Sequence, residues 1–114
     1  MSDENKLKLM SENQIQGIAI DPLPATLGDE VTFLYNGLLA MSGAEQVYLH
    51  CGYGDNKNWK TVKDERMEWT GYGWAKTIDL NNDSRLNFCF KDSANNWDNN
   101  NGVNWSIEIH NGSY

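Results

Sequence analysis

Two runs of strict alternation near the C-terminus constrain the fold most. Leu86-Asn87-Phe88-Cys89-Phe90 sets Leu86, Phe88 and Phe90 on one face, and Val103, Trp105, Ile107 and Ile109 repeat that period. Successive side chains of a strand point to opposite faces, so a period of two predicts half-buried strands rather than helices. Residues 92–102 separate the two runs and hold five Asn, two Asp and one Gly around a single aromatic, Trp97. Asn and Asp bond their own backbone and tolerate left-handed conformations, which predicts an ordered, turn-rich loop. Trp97 has little apolar company among its neighbours in sequence. It either folds back into the core or stays out as a flat apolar platform ringed by amide donors and acceptors. Such a platform suits a sugar, whose C–H face is apolar and whose rim is hydroxyl.

The rest of the chain repeats the short-strand pattern. Residues 15–20 are a strand candidate stopped by Asp21-Pro22-Leu23-Pro24, which holds both prolines. Proline lacks the ladder donor and belongs at an edge or in an extended linker. After a turn at Leu27-Gly28-Asp29, residues 30–35 alternate, with Val31, Phe33 and Tyr35 on one face. Asn36-Gly37 signals a turn, and residues 38–44 read as a loop or short edge piece. Residues 46–51 form the next strand, with Val47, Leu49 and Cys51 inward and Tyr48 and His50 outward. Residues 52–60 read as a second polar loop with Trp59 near its end. Short strands follow at about 66–70 and 74–80, with a turn at Asn81-Asn82-Asp83. About seven strands between Gly/Asn/Asp turns, and no 3.6-residue period, predict an all-β, immunoglobulin-like sandwich of antiparallel strands.

A chain of 114 residues fits one domain. Residues 1–13 are expected as a flexible lead-in and residues 14–114 as the single β-sandwich domain. With 9 Lys+Arg against 16 Asp+Glu the formal charge is −7, a field that repels phosphate backbones and anionic lipid. Nucleic acid and membrane surfaces are therefore not expected as partners. Residues 1–10 are polar and mixed in charge and lack the apolar stretch of a secretory signal. A cytoplasmic location is the expectation, with an extracellular one if a leader precedes these residues. Cys51 and Cys89 are the only cysteines and fall on opposite strand phases, so free thiols are expected rather than a disulfide.

Trp is usually well buried, but Trp97 and Trp59 each lie among polar residues, and both are expected outside the core. Trp69, Trp74 and Trp105 lie in strand-like runs, where core or half-core positions are expected. His50, on the outward phase, could donate to or accept from a sugar hydroxyl. His110 is expected at the surface. A calcium loop starting at Asp92 fails at its third, sixth and twelfth positions, which are Ala94, Trp97 and Val103. A glycosidase needs two carboxylates across a cleft, and Asp92 and Asp98 share one small loop. No nucleophile-elbow, zinc-protease or phosphate-loop motif occurs. No metal, cofactor or catalytic residue is expected.

Several stretches together carry a family resemblance. They are Val47-Tyr48-Leu49-His50, then Trp59, Met67 and Gly73-Trp74, then Phe88-x-Phe90-x-Asp92 and Trp97-Asp98-Asn99-Asn100-x-Gly102-x-Asn104-Trp105. This pattern, over residues 17 to 109, resembles starch-binding carbohydrate-binding modules of families 25 and 53. It departs from them at Ser93 and Asn95-Asn96, where glycines are common. The resemblance implies a non-catalytic immunoglobulin-like sandwich that binds α-1,4-linked glucan: starch, glycogen or maltooligosaccharide. It implies that His50, Trp59 and Trp97 hold the ligand, with Asn99 and Asn100 as candidate hydrogen-bonding rim. The alternative is a protein–protein interaction domain using the same sandwich.

Overall fold

A computed structural model describes residues 3–82 and 84–111. Met1, Ser2, Asp83 of the expected turn and residues 112–114 lie outside the described residues. The order is α1 (Asp3–Ser11), β1 (Ile18–Asp21), β2 (Ala25–Thr26), β3 (Glu30–Tyr35), α2 (Leu38–Met41), β4 (Val47–Asp55), β5 (Asn58–Arg66), β6 (Glu68–Trp69), β7 (Trp74–Asp79), β8 (Arg85–Asp92), β9 (Trp97–Asp98) and β10 (Trp105–His110). One sheet runs β1-β3-β7-β6 and the other β2-β10-β8-β4-β5, with β9 also paired to β8. All pairings are antiparallel except β2 with β10. The fold is the all-β, immunoglobulin-like sandwich that the alternation predicts.

The inner faces meet through the alternating residues. Phe33 of one sheet packs edge-on against Phe88 of the other at 4.9 Å, and Tyr35 stacks on Phe90 at 4.0 Å. Val31, Leu49, Met67, Leu80 and Leu86 complete a fully enclosed core around these rings. Each such side chain contributes about 1.5–3 kcal/mol relative to exposure. Trp74 is buried, while Trp105 is half-buried and stacks over Phe88 at 6.0 Å. His110 is exposed.

The structure differs from the expectations in six places. Val103, expected in phase with Trp105, lies exposed in the turn before β10. Residues 3–11 of the lead-in form helix α1, which rests on the sandwich through buried Met10 and a Lys6 hydrogen bond to Thr32. Glu4 and Lys6 to Met10 are good helix formers, but Met10 is its one buried side chain among those described, so no apolar stripe marks it. The strand expected at 15–20 is split. Gln16 and Gly17 have φ of 56° and 79°, and Ile15 pairs back onto Ile18 across them. Residues 38–41 form one helical turn rather than a loop or edge piece, with Leu39 buried beneath it. Residues 52–60 are not a loop: β4 and β5 continue through them to a two-residue turn at Asn56-Lys57. Trp69 is not in the core; it is 57% exposed on edge strand β6 and meets Trp74 edge-on at 5.7 Å.

Directly opposed residues share a face, which fixes the thiols. Cys51 opposes Phe88 on the core face, and Cys89 opposes His50 on the outer face. Both cysteines are free and buried. Burial pushes each thiol up to about 12.

Candidate functional site

The outer face of β5, β4 and β8 gathers the aromatic residues. β4 runs antiparallel to β8 from Val47↔Asp92 to Tyr53↔Leu86, which puts Tyr48 beside Lys91 and His50 beside Cys89. On the other edge of β4, His50 opposes Asp64 and Tyr48 opposes Arg66. The alternation then breaks once. The register passes from Cys51↔Lys63 to Tyr53↔Lys60, so β5 carries one extra residue, at a point where Thr61 has φ of 53°. An extra residue of this kind is a β-bulge, and it shifts every later side chain to the other face. Trp59, opposite Gly54, therefore joins His50 and Asp64 on the outside.

Local contacts then hold Trp59. Its Nε1–H donates to the Asn56 carbonyl at 2.7 Å. The Asn56 side-chain amide donates to the Val103 carbonyl at 2.8 Å, tying the hairpin tip to the loop before β10. Gly52 leaves the room the indole needs: a Cβ there would stand 3.0 Å from Trp59 Cβ and 3.1 Å from a Val62 methyl. Asn87, fully buried, donates to the Gly54 carbonyl at 2.9 Å and pins the end of β4 that faces the bulged part of β5.

Trp97 is delivered by the Asn-rich stretch. Asp92 accepts the backbone N–H groups of Ala94 and Asn96 at 2.9 and 2.8 Å and the Asn96 side-chain amide at 3.0 Å. These bonds, led by Asn96, hold its carboxyl below the usual carboxylate range. Asn95 occupies the left-handed region at φ 64°, which Asn tolerates better than most residues. The chain thus reverses in four residues, and β9 pairs Trp97 with Lys91 and Asp98 with Phe90. β4 takes the other edge of β8, so β9 and β10 share one edge, interrupted by the 99–104 loop. Asp98 points inward and accepts the Tyr35 hydroxyl at 2.6 Å. Burial, then this bond, pushes the Tyr35 hydroxyl well above its ordinary range.

His50, Trp59 and Trp97 form one continuous strip. The His50 ring lies 5.5 Å from Trp59, tilted by 35°, and 5.1 Å from Trp97, edge-on at 86°. Trp97 is 45% exposed and Trp59 and His50 are half-buried. Asn99 and Asn100, the expected rim, are half-buried and also build their own loop. Asn99 accepts from Gly102 and Asn104 N–H groups through its side-chain and backbone carbonyls, and Asn100 donates to the Asn104 carbonyl. Sequence reasoning missed Asp64 and Lys91. Asp64 accepts from His50 Nδ1 and meets Lys91 Nζ, each at 2.5 Å, and Lys91 stands 5.4 Å over the Trp97 ring. Partial burial raises the Asp64 carboxyl, but Lys91 and His50 outweigh it and hold it below the ordinary range. Nothing in the sequence flags Asp64 while β5 is unread.

The strip sets two partly exposed indoles and one imidazole on the outer face of the sheet. A cavity of about 710 Å³ lies elsewhere, between α1, β1 and β10, and is mainly apolar, with Met10, Ile18, Phe88 and Trp105 in its wall. A sheet presenting exposed indoles beside amides and one imidazole is the architecture of a carbohydrate-binding module. Residues 31–88 match the family described as starch/carbohydrate-binding module (family 53), and the chain belongs to that family of binding modules. His50 and Trp59 lie within the matched residues and Trp97 beyond them. An alpha-amylase of Clostridium acetobutylicum is 32% identical over 96 residues, which cover 81% of this chain and 12% of that protein. The chain thus spans about an eighth of the length of that relative. No solved structure matches the chain.

Proposed function

We propose that this chain binds α-1,4-linked glucan, as starch, glycogen or maltooligosaccharide, without catalysis, and that His50, Trp59 and Trp97 are its contact surface. The observation that carries this reading is the strip itself: two partly exposed indoles flank one imidazole at 5.5 and 5.1 Å. Indole faces stack on the apolar faces of glucose rings, and a pair of non-coplanar platforms suits the curvature of an α-1,4 chain. Hydroxyl hydrogen bonds to His50, Asn99 or Asn100 largely exchange with water, so they orient more than they bind. A shallow site of this kind should hold a short oligosaccharide at roughly micromolar to millimolar Kd. A carbohydrate-binding family and an amylase relative support the choice of glucan.

Titration with maltoheptaose, followed by tryptophan fluorescence, tests it. Saturable binding to maltoheptaose and none to cellohexaose is expected. Trp59→Ala and Trp97→Ala should each cost about 1–3 kcal/mol of binding, as an interface hot spot does. Binding unchanged in both variants would remove the site assignment, and no binding by the parent would remove the function.

A further inference from the structure

We propose that Asp64 is a positioning residue of this strip, fixing the His50 ring through one carboxylate oxygen and holding Lys91 across Trp97 through the other. The proposal rests on the glucan-binding reading above. Asp64 lies on edge strand β5, His50 on β4 and Lys91 on β8, so a single carboxylate spans three strands. Its Oδ1 meets His50 Nδ1 and its Oδ2 meets Lys91 Nζ, each at 2.5 Å. An ionised carboxylate only accepts hydrogen bonds, so His50 Nδ1 must carry the hydrogen. In the neutral ring that leaves Nε2 as an acceptor for a sugar hydroxyl, with the ring plane held against both indoles.

The second arm acts on Trp97. Lys91 Nζ lies 5.4 Å from that indole and 6.0 Å from the Tyr48 ring, within cation–π range of both. Drawn to Asp64 over the sheet, the ammonium fixes one face of Trp97 and leaves the opposite face for a sugar. Two of the three strip residues are thereby oriented by a residue that need not touch ligand. Trp59 has its own anchor at Asn56.

Asp64→Ala and Asp64→Asn test the proposal in the full chain, since Asp64 is an edge-strand residue with a 39% exposed side chain. Two readouts are needed: affinity for maltoheptaose, and the His50 tautomer from long-range ¹⁵N–¹H correlation of the imidazole at neutral pH. The parent should show hydrogen on Nδ1. Asp64→Ala should lose that preference and bind maltoheptaose about ten-fold more weakly, the scale of one charged hydrogen bond. Asp64→Asn should fall between. A structural role for Asp64 would leave the tautomer unmoved. An unchanged tautomer in Asp64→Ala, or unchanged affinity, overturns the positioning role while parent binding keeps the glucan reading. A parent that ignores maltoheptaose overturns both.

Discussion

The Tyr35 hydroxyl reaches across the sandwich and donates to Asp98 at 2.6 Å, one residue from Trp97. The same oxygen accepts the Leu39 N–H at 3.0 Å, so one buried phenol ties β3, α2 and β9 together. Tyr35→Phe keeps the stack on Phe90 but leaves an N–H and a carboxylate short of a partner. A loss of about 1–3 kcal/mol in urea denaturation is expected. Retention of full stability would show that water replaces the phenol without cost.

Gly52→Ala probes the seat of Trp59. The added methyl would meet Trp59 Cβ at 3.0 Å, inside normal contact. The indole must shift, and maltoheptaose affinity should fall more than the urea midpoint does. Equal affinity to the parent would show that Trp59 can be displaced without consequence for binding.

The thiols give a test of the face assignment. Both are buried and pushed up to about 12. In the native protein at pH 8 the thiolate is a negligible fraction, so a disulfide reagent should react far more slowly than with free cysteine. In denaturant without reductant, two thiols should titrate promptly. Finding none there would require a disulfide and would invalidate the assigned strand phases.

Asp64 sets a pH dependence. Its folded carboxyl titrates below the ordinary value, so its contribution is fully present above about 4 and is lost as pH falls through the folded value. The stability gap between the parent and Asp64→Asn should therefore hold at neutral pH and close in acid. A gap that persists unchanged at pH 2 would mean that ionisation of Asp64 is irrelevant to it.

The sequence disclosed the elements whose two faces differ. β8 and β10 alternate because Leu86, Phe88, Phe90, Ile107 and Ile109 face a core while their neighbours do not. β5 stayed hidden because Asn58–Arg66 is a polar edge strand with no buried residue, and its pattern is that of a loop. Helix α1 stayed hidden because it buries little beyond Met10. The outward placement of His50 followed from phase, as did that of Trp97 from its polar neighbours. The outward placement of Trp59 was expected for a loop but arises from a bulge, which leaves no signature beyond Thr61, a residue that rarely takes φ of 53°. Asp64 was illegible because its contacts need both the β4–β5 hairpin register, which sets it beside His50, and Lys91 of β8, a strand that does not pair with β5.

The bulge sits between two stretches of regular ladder, so it can absorb one lost residue. Removing Thr61 would leave Cys51 opposite Lys63 and Tyr53 opposite Lys60, now two positions apart on both strands, and Trp59 would still emerge opposite Gly54 on the solvent side. A second deletion would find no spare residue to absorb it and would turn the indole toward the core. The arm is thus expected to tolerate the loss of one residue between positions 60 and 63 and not the loss of two.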